Sequence, residues 1–79
     1  MNVNIHFFGM IAEAINSSFL LIENYEGTTL GDLKKDLLAI FPQLERYNFQ
    51  MALDKKLASP QTQLKPVSEV AILPPFAGG

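Results

Sequence analysis

The chain predicts an α+β domain in which strands dominate and one long helix covers a mostly antiparallel sheet. Three observations carry that expectation. Two segments at opposite ends of the chain, residues 2–8 and Glu69–Leu73, switch face with a period of two, as strands do. Residues 29–41 repeat their apolar side chains at helical spacing. The other apolar runs are short and punctuated by turn residues, which suits strands better than helices.

Each element has its own justification. In residues 2–8, Val3, Ile5 and Phe7 point one way while Asn4, His6 and Phe8 point the other, the pattern of a half-buried strand. Gly9 breaks that pattern. Met10, Ile11, Ala14 and Ile15 around Glu13 suit a short helix over residues 10–15. Asn16-Ser17-Ser18 is turn material, and Phe19–Ile22 is a compact apolar run expected to pair with the first strand. Thr29 is the expected N-cap of the long helix, with Asp32 placed three residues on as in a capping box. Leu30, Leu33, Leu37, Leu38 and Phe41 form its apolar stripe, with Asp32, Lys34, Lys35 and Asp36 over much of the opposite side. Pro42 ends the helix, because a residue before proline avoids the α region. Gly31 in the first turn is a mild misfit. Residues 43–48 read as a loop or single turn. Residues 49–53 and 56–59 read as two short strands joined near Asp54-Lys55, residues 60–66 as a connection, and Glu69–Leu73 as the last strand.

The order is β, short α, β, long α, β, β, β, an α+β layer arrangement. At this size it suits the β-grasp, or ubiquitin-like, roll: a mixed sheet of about five strands under one main helix. In that roll the first and last strands lie side by side as a parallel pair. The elements come from the residues, and the strand order comes from the fold analogy.

Composition sets the frame. With 79 residues, residues 1–79 make one small domain, near the limit where a single core suffices. Apolar content of 48% against 18% charged residues reads as globular, not disordered. No cysteine is present, so disulfides, thiolate metal sites and cysteine-borne chemistry are excluded at once. A formal charge of −2 argues against nucleic-acid binding, which needs a basic stripe. Met1-Asn2-Val3-Asn4 has no basic region and no apolar run approaches a bilayer span, so no membrane role and a cytoplasmic location are expected.

No catalytic constellation is visible. His6 is the single histidine and falls opposite the apolar set of its strand, which favours an exposed or interface role over a general base. Metal-ligand spacing is lacking, so no metal is expected. Gly27-Thr28-Thr29-Leu30-Gly31 has neither the spacing nor the lysine of a phosphate loop and reads as a turn and helix cap. Phe7, Phe19 and Phe41 are expected in the core. Phe8 and Leu73 fall on the other face of their strands and, with Leu57, are expected to form an exposed apolar patch for a partner.

The most informative stretch is Leu73-Pro74-Pro75-Phe76-Ala77-Gly78-Gly79. Terminal glycines have no side chain to pack and lose the most backbone entropy on ordering, so their use lies in what they lack. A backbone without Cβ atoms enters a channel too narrow for other residues and presents its terminal carboxylate to a reactive centre. Pro74 and Pro75 favour a stiff, extended stalk below it. Residues 74–79 are therefore expected to form a flexible C-terminal tail that threads into partners.

The chain resembles the ubiquitin-like sulfur-carrier family, in particular small subunits of molybdopterin synthase. Three stretches carry the likeness: residues 3–8 with the following short helix, Thr28-Thr29-Leu30-Gly31-Asp32-Leu33, and residues 69–79 with Pro-Pro followed by terminal Gly-Gly. The resemblance implies that an ATP-dependent, ubiquitin-activating-like adenylyltransferase adenylates the Gly79 carboxylate. Sulfur from a persulfide then displaces AMP, leaving a thiocarboxylate on Gly79. It further implies that Gly78, Ala77, Phe76, Pro75 and Pro74 thread into a large catalytic subunit, within a heterotetramer of two small and two large subunits. There the sulfur goes to a cyclic pyranopterin monophosphate, forming the dithiolene of molybdenum cofactor biosynthesis. The small subunit binds no cofactor and is not an enzyme on its own.

Some positions depart from the family pattern. Pro66-Val67-Ser68-Glu69 stands where Asp-Gly-Asp-Glu is common, Leu53-Asp54 where Val-Asn is usual, and residues 11–15 lack a frequent arginine. Proline can preset a turn from its second position. The departures leave the tail intact and bear on which partners the surface fits. Three other readings stay open: a carrier for another pathway such as thiamine or cysteine synthesis, a ubiquitin-like modifier joined to proteins through Gly79, and a plain interaction domain whose tail is incidental.

Overall fold

A computed structural model describes residues 1–66 and 68–75. Along them run β1 (Val3–Phe7), α1 (Gly9–Ile15), β2 (Phe19–Ile22), α2 (Leu30–Ile40), a 3-10 helix (Pro42–Arg46), β3 (Gln50–Leu53), β4 (Lys56–Leu57) and β5 (Glu69–Leu73). The strands form one five-stranded sheet in the order β2-β1-β5-β3-β4. β1 and β5 are the parallel central pair, and the other neighbours are antiparallel. This is the topology expected from the element order.

Alternation decides which residues close the core. Val3, Ile5 and Phe7 of β1, Val70 and Ile72 of β5 and Met51 of β3 are buried together with Ile11 and Ile15 of α1 and Leu30, Leu33 and Leu37 of α2. Fully burying one such side chain contributes roughly 1.5–3 kcal/mol, so this cluster supplies most of the drive to fold. Phe41 lies half-buried at its edge, with its ring edge-on to Phe7 at 5.8 Å.

Helix α2 starts where the capping box places it. The Asp32 N–H donates to the Thr29 hydroxyl at 3.1 Å, and the Thr29 N–H donates to the Asp32 carboxylate at 3.1 Å. The segment after β4 is tied to the same corner, with the Leu30 N–H donating to the Thr62 carbonyl and the Gly31 N–H to the Pro60 carbonyl. That explains Gly31. A Cβ there would sit 3.2 Å from the Pro60 carbonyl oxygen, so the loop lies where a side chain would be.

Three local expectations are corrected. Phe19 is not core: it is 47% exposed, because the β1–β2 register pairs it with His6 and sets it on the face away from the helices. Of the loop or single turn expected over 43–48, the structure takes the turn and starts it earlier, as the 3-10 helix Pro42–Arg46 anchored by the fully buried Leu44. The helix expected over 10–15 begins at Gly9, whose φ of +56° makes the sharp turn out of β1. The proline-preset turn is present, with the Ser68 N–H donating to the Lys65 carbonyl at 3.1 Å across Pro66.

Candidate functional site: the outer sheet face and the root of the tail

The helices cover one side of the sheet, and the other side belongs to the alternate residues of the same strands. Pairing sets Phe19, His6, Ala71, Ala52 and Leu57 in one row across all five strands. Phe8 and Leu73 lie one step beyond that row, where β1 and β5 end, and Leu21, Asn4 and Glu69 lie one step before it. Phe8 is 47% exposed and Leu57 is 59% exposed, while Leu73 is half-buried. Pairing therefore sets the three residues expected from sequence on one face, with Leu57, on the edge strand, also bordering the cavity on the helix side. Leu57 is separated from the other two by the small side chains of Ala52 and Ala71. Phe19 and Leu21 extend the face on its far edge, and both were missed because only the register reveals which way an unbroken apolar run points.

Polar groups gather at one end of this face. His6 Nε2 lies 3.8 Å from Glu69 Oε1. The His6 ring sits 5.2 Å from the Phe19 ring and 6.5 Å from that of Phe8. The turn Asp54-Lys55 between β3 and β4 has positive φ at both residues, 49° and 73°. That matches the two-residue hairpin loop that suits sheet twist, reached here without glycine. It is pinned from β5, where the Glu69 N–H donates to Asp54 Oδ1 at 3.0 Å. His6, Phe8, Lys55, Glu69, Val70 and Ala71 enclose a cleft of about 220 Å³.

The other end of the face carries the root of the tail. Phe8 donates its N–H to the Ile72 carbonyl at 3.1 Å, extending the parallel pairing to the end of β5. Pro74 then packs over Gly9, where an added Cβ would stand 3.1 Å from Pro74 Cγ. Pro75 is exposed. Gln50, paired with Leu73, holds its Oε1 buried without a hydrogen-bond partner among the described residues. Phe76, Ala77, Gly78 and Gly79, named from sequence as the threading and carrier residues, lie outside the described residues.

A larger cavity of about 290 Å³ lies on the helix side, among Leu30, Lys34, Phe49, Met51 and Pro60. Lys34 is the one titratable group among the described residues that lines it, and its Nζ stands 5.3 Å from the Phe49 ring centroid. Among the described residues no group of His, Asp or Glu could hold a metal ion, and no helix is long and apolar enough to cross a membrane.

Two shifted groups lie away from the outer face, and both stabilise the roll. Hydrogen bonds from the Thr28 and Thr29 N–H groups hold the Asp32 carboxyl below its ordinary value. Burial, then the 2.6 Å bond to Asp36, pushes the Tyr25 hydroxyl well above its own.

A sheet with a parallel central pair, helices on one side and an uncovered apolar face on the other defines a ubiquitin-like roll. The chain belongs to the ThiS family, whose sequence model matches residues 5–79. It is 33% identical to the molybdopterin synthase sulfur carrier subunit of Mycobacterium tuberculosis, over 100% of this chain and 99% of that protein. It also resembles a chain in the complex of subunits 1 and 2 of molybdopterin-converting factor from Helicobacter pylori 26695. There the TM-score is 0.70 and the identity 27%, with 100% of both chains covered. The small archaeal modifier protein 1 of Haloferax volcanii shares the fold, with a TM-score of 0.80 at 20% identity over 95% of this chain and 98% of that one.

Proposed function

We propose that the chain is the sulfur-carrying small subunit of a molybdopterin synthase. The observation that carries this reading is the full-length, 33% identity to a protein of that name. The uncovered outer face and the anchored Pro74 support it, because a carrier needs a docking surface next to the point where its tail leaves. The Helicobacter pylori complex of two subunits supports a large-subunit partner.

The chemistry falls on Gly79. An adenylyltransferase of the ubiquitin-activating kind directs the Gly79 carboxylate oxygen to the α-phosphorus of ATP, and pyrophosphate leaves. A carboxylate is a poor electrophile, and the acyl-adenylate is a good one. The terminal sulfur of a persulfide attacks the acyl carbon and AMP leaves. A second thiol then cleaves the S–S bond, becoming a disulfide and leaving the thiocarboxylate on Gly79. In the large subunit that sulfur attacks the cyclic pyranopterin monophosphate, and water cleaves the acyl–sulfur bond and restores the carboxylate. Two such transfers supply both dithiolene sulfurs. This chain contributes no acid or base to those steps. Its outer face holds the partner while the tail reaches the reacting atoms.

The test is the mass of the peptide of residues 57–79 after incubation with ATP, a persulfide donor and a cognate activating enzyme. That peptide contains no methionine, so oxidation cannot imitate the exchange of oxygen for sulfur. A shift confined to it supports the carrier reading. An adenylate without sulfur exchange, together with isopeptide-linked conjugates, favours the protein-modifier reading.

A further inference from the structure

We infer that the cleft at the polar end of the outer face receives an arginine side chain of the docking partner; this rests on the outer face being the docking surface. Charge sets the sign. Glu69 has 62% of its side chain exposed, and its ion-pair contact among the described residues is the neutral-capable His6 at 3.8 Å. Asp54 holds the Glu69 backbone from the neighbouring turn, its Oδ1 accepting the Glu69 N–H, without lining the cleft. Lys55 is the single lysine at the rim, on a flexible stem that can swing into solvent. Covering Glu69 without an incoming cation would bury a carboxylate whose described ion-pair contact is a histidine at 3.8 Å.

Shape selects arginine over lysine. His6 and Phe8 are successive same-face residues of one extended segment, with rings 6.5 Å apart and only 30° from parallel. Both rings line the cleft, so a planar group entering it can lie against either of them. A guanidinium is planar, stacks on aromatic faces and offers a fork that matches a carboxylate, whereas an ammonium does none of these. Ala71, small and central on β5, leaves the floor low enough for the side chain to enter. The cleft of about 220 Å³ is the size of one side chain, not of a free metabolite.

Two measurements test this on the full chain. In the first, labelled protein is titrated with Nα-acetyl-arginine amide and followed by NMR. Shifts should concentrate at His6, Phe8, Glu69 and Ala71, be weaker with the lysine analogue, and vanish in Glu69→Gln. No shifts there, or equal shifts with lysine or in Glu69→Gln, overturn the inference. In the second, affinity for the cognate large subunit is measured for Glu69→Gln and Phe8→Asp, with amide spectra confirming that both fold. Glu69→Gln should weaken binding about tenfold, as expected for losing a charge-assisted hydrogen bond. Loss with Phe8→Asp but none with Glu69→Gln overturns the arginine cleft and leaves the docking face standing. No loss with either overturns both.

Discussion

The two faces of the sheet are made by the same strands and resemble each other in composition, yet they have opposite fates. On the inner face Ile5, Phe7, Val70 and Ile72 are almost wholly buried under α1 and α2. On the outer face Phe8, Phe19, Leu21 and Leu57 stay between 43% and 59% exposed. Composition alone therefore does not say which apolar residues stabilise the fold. Cover does, and this chain has helices enough for one side only. Stability belongs to the inner face, and the outer face is free to be selected for what it meets.

The sharpest way to break that comparison is to truncate both faces. Ile5→Ala or Leu33→Ala should cost about 2–5 kcal/mol. At roughly 4–8 °C per kcal/mol for a domain of this size, the melting temperature should fall by ten degrees or more in thermal circular dichroism. Phe8→Asp should shift that temperature by no more than a few degrees while weakening partner binding tenfold or more in calorimetry. A comparable melting loss in Phe8→Asp would merge the two faces into one core. Phe19→Asp sharpens the test at the far edge, with the same small thermal effect expected.

Smaller effects probe the corners that hold the faces in register. The Asp54-Lys55 turn places two non-glycine residues at positive φ, a conformation that costs about 1 kcal/mol or more per residue. The double change Asp54→Asn with Lys55→Gly keeps an acceptor for the Glu69 N–H and should raise stability by about 1 kcal/mol in urea unfolding. The smallest effect is the pH response at the start of α2. The folded state lowers the Asp32 carboxyl, so its contribution is present above the ordinary aspartate range and is lost as pH falls through the folded value. Asp32→Asn should flatten the stability–pH curve below about pH 4 and change little near neutrality.

Much of this was legible in the residues, and the limits have physical causes. The alternation of β1 and β5, the capping box and the stop at Pro42 are local signals, and all hold. The parallel pairing of the chain's ends is non-local and came only through the fold analogy. Phe19 was misplaced because Phe19-Leu20-Leu21-Ile22 has no polar residue to mark a face, so only pairing with His6 resolves it. The 3-10 helix is built on one buried leucine among polar neighbours, too short for a periodicity. At the candidate site, the tail and Phe8 could be named from sequence. Glu69, His6 and the Asp54-Lys55 turn lie far apart in the chain, and only the sheet brings them together.

Gly9 turns the chain into α1 and also forms the seat of Pro74. A larger residue there would strain a left-handed backbone and push the proline aside together. The tail's root is thus aimed by a bearing at the opposite end of the sequence. A Gly9 variant would keep every docking side chain and still deliver its cargo off target. A screen scored on transfer alone would file that defect as a lost contact, when it is an error of aim.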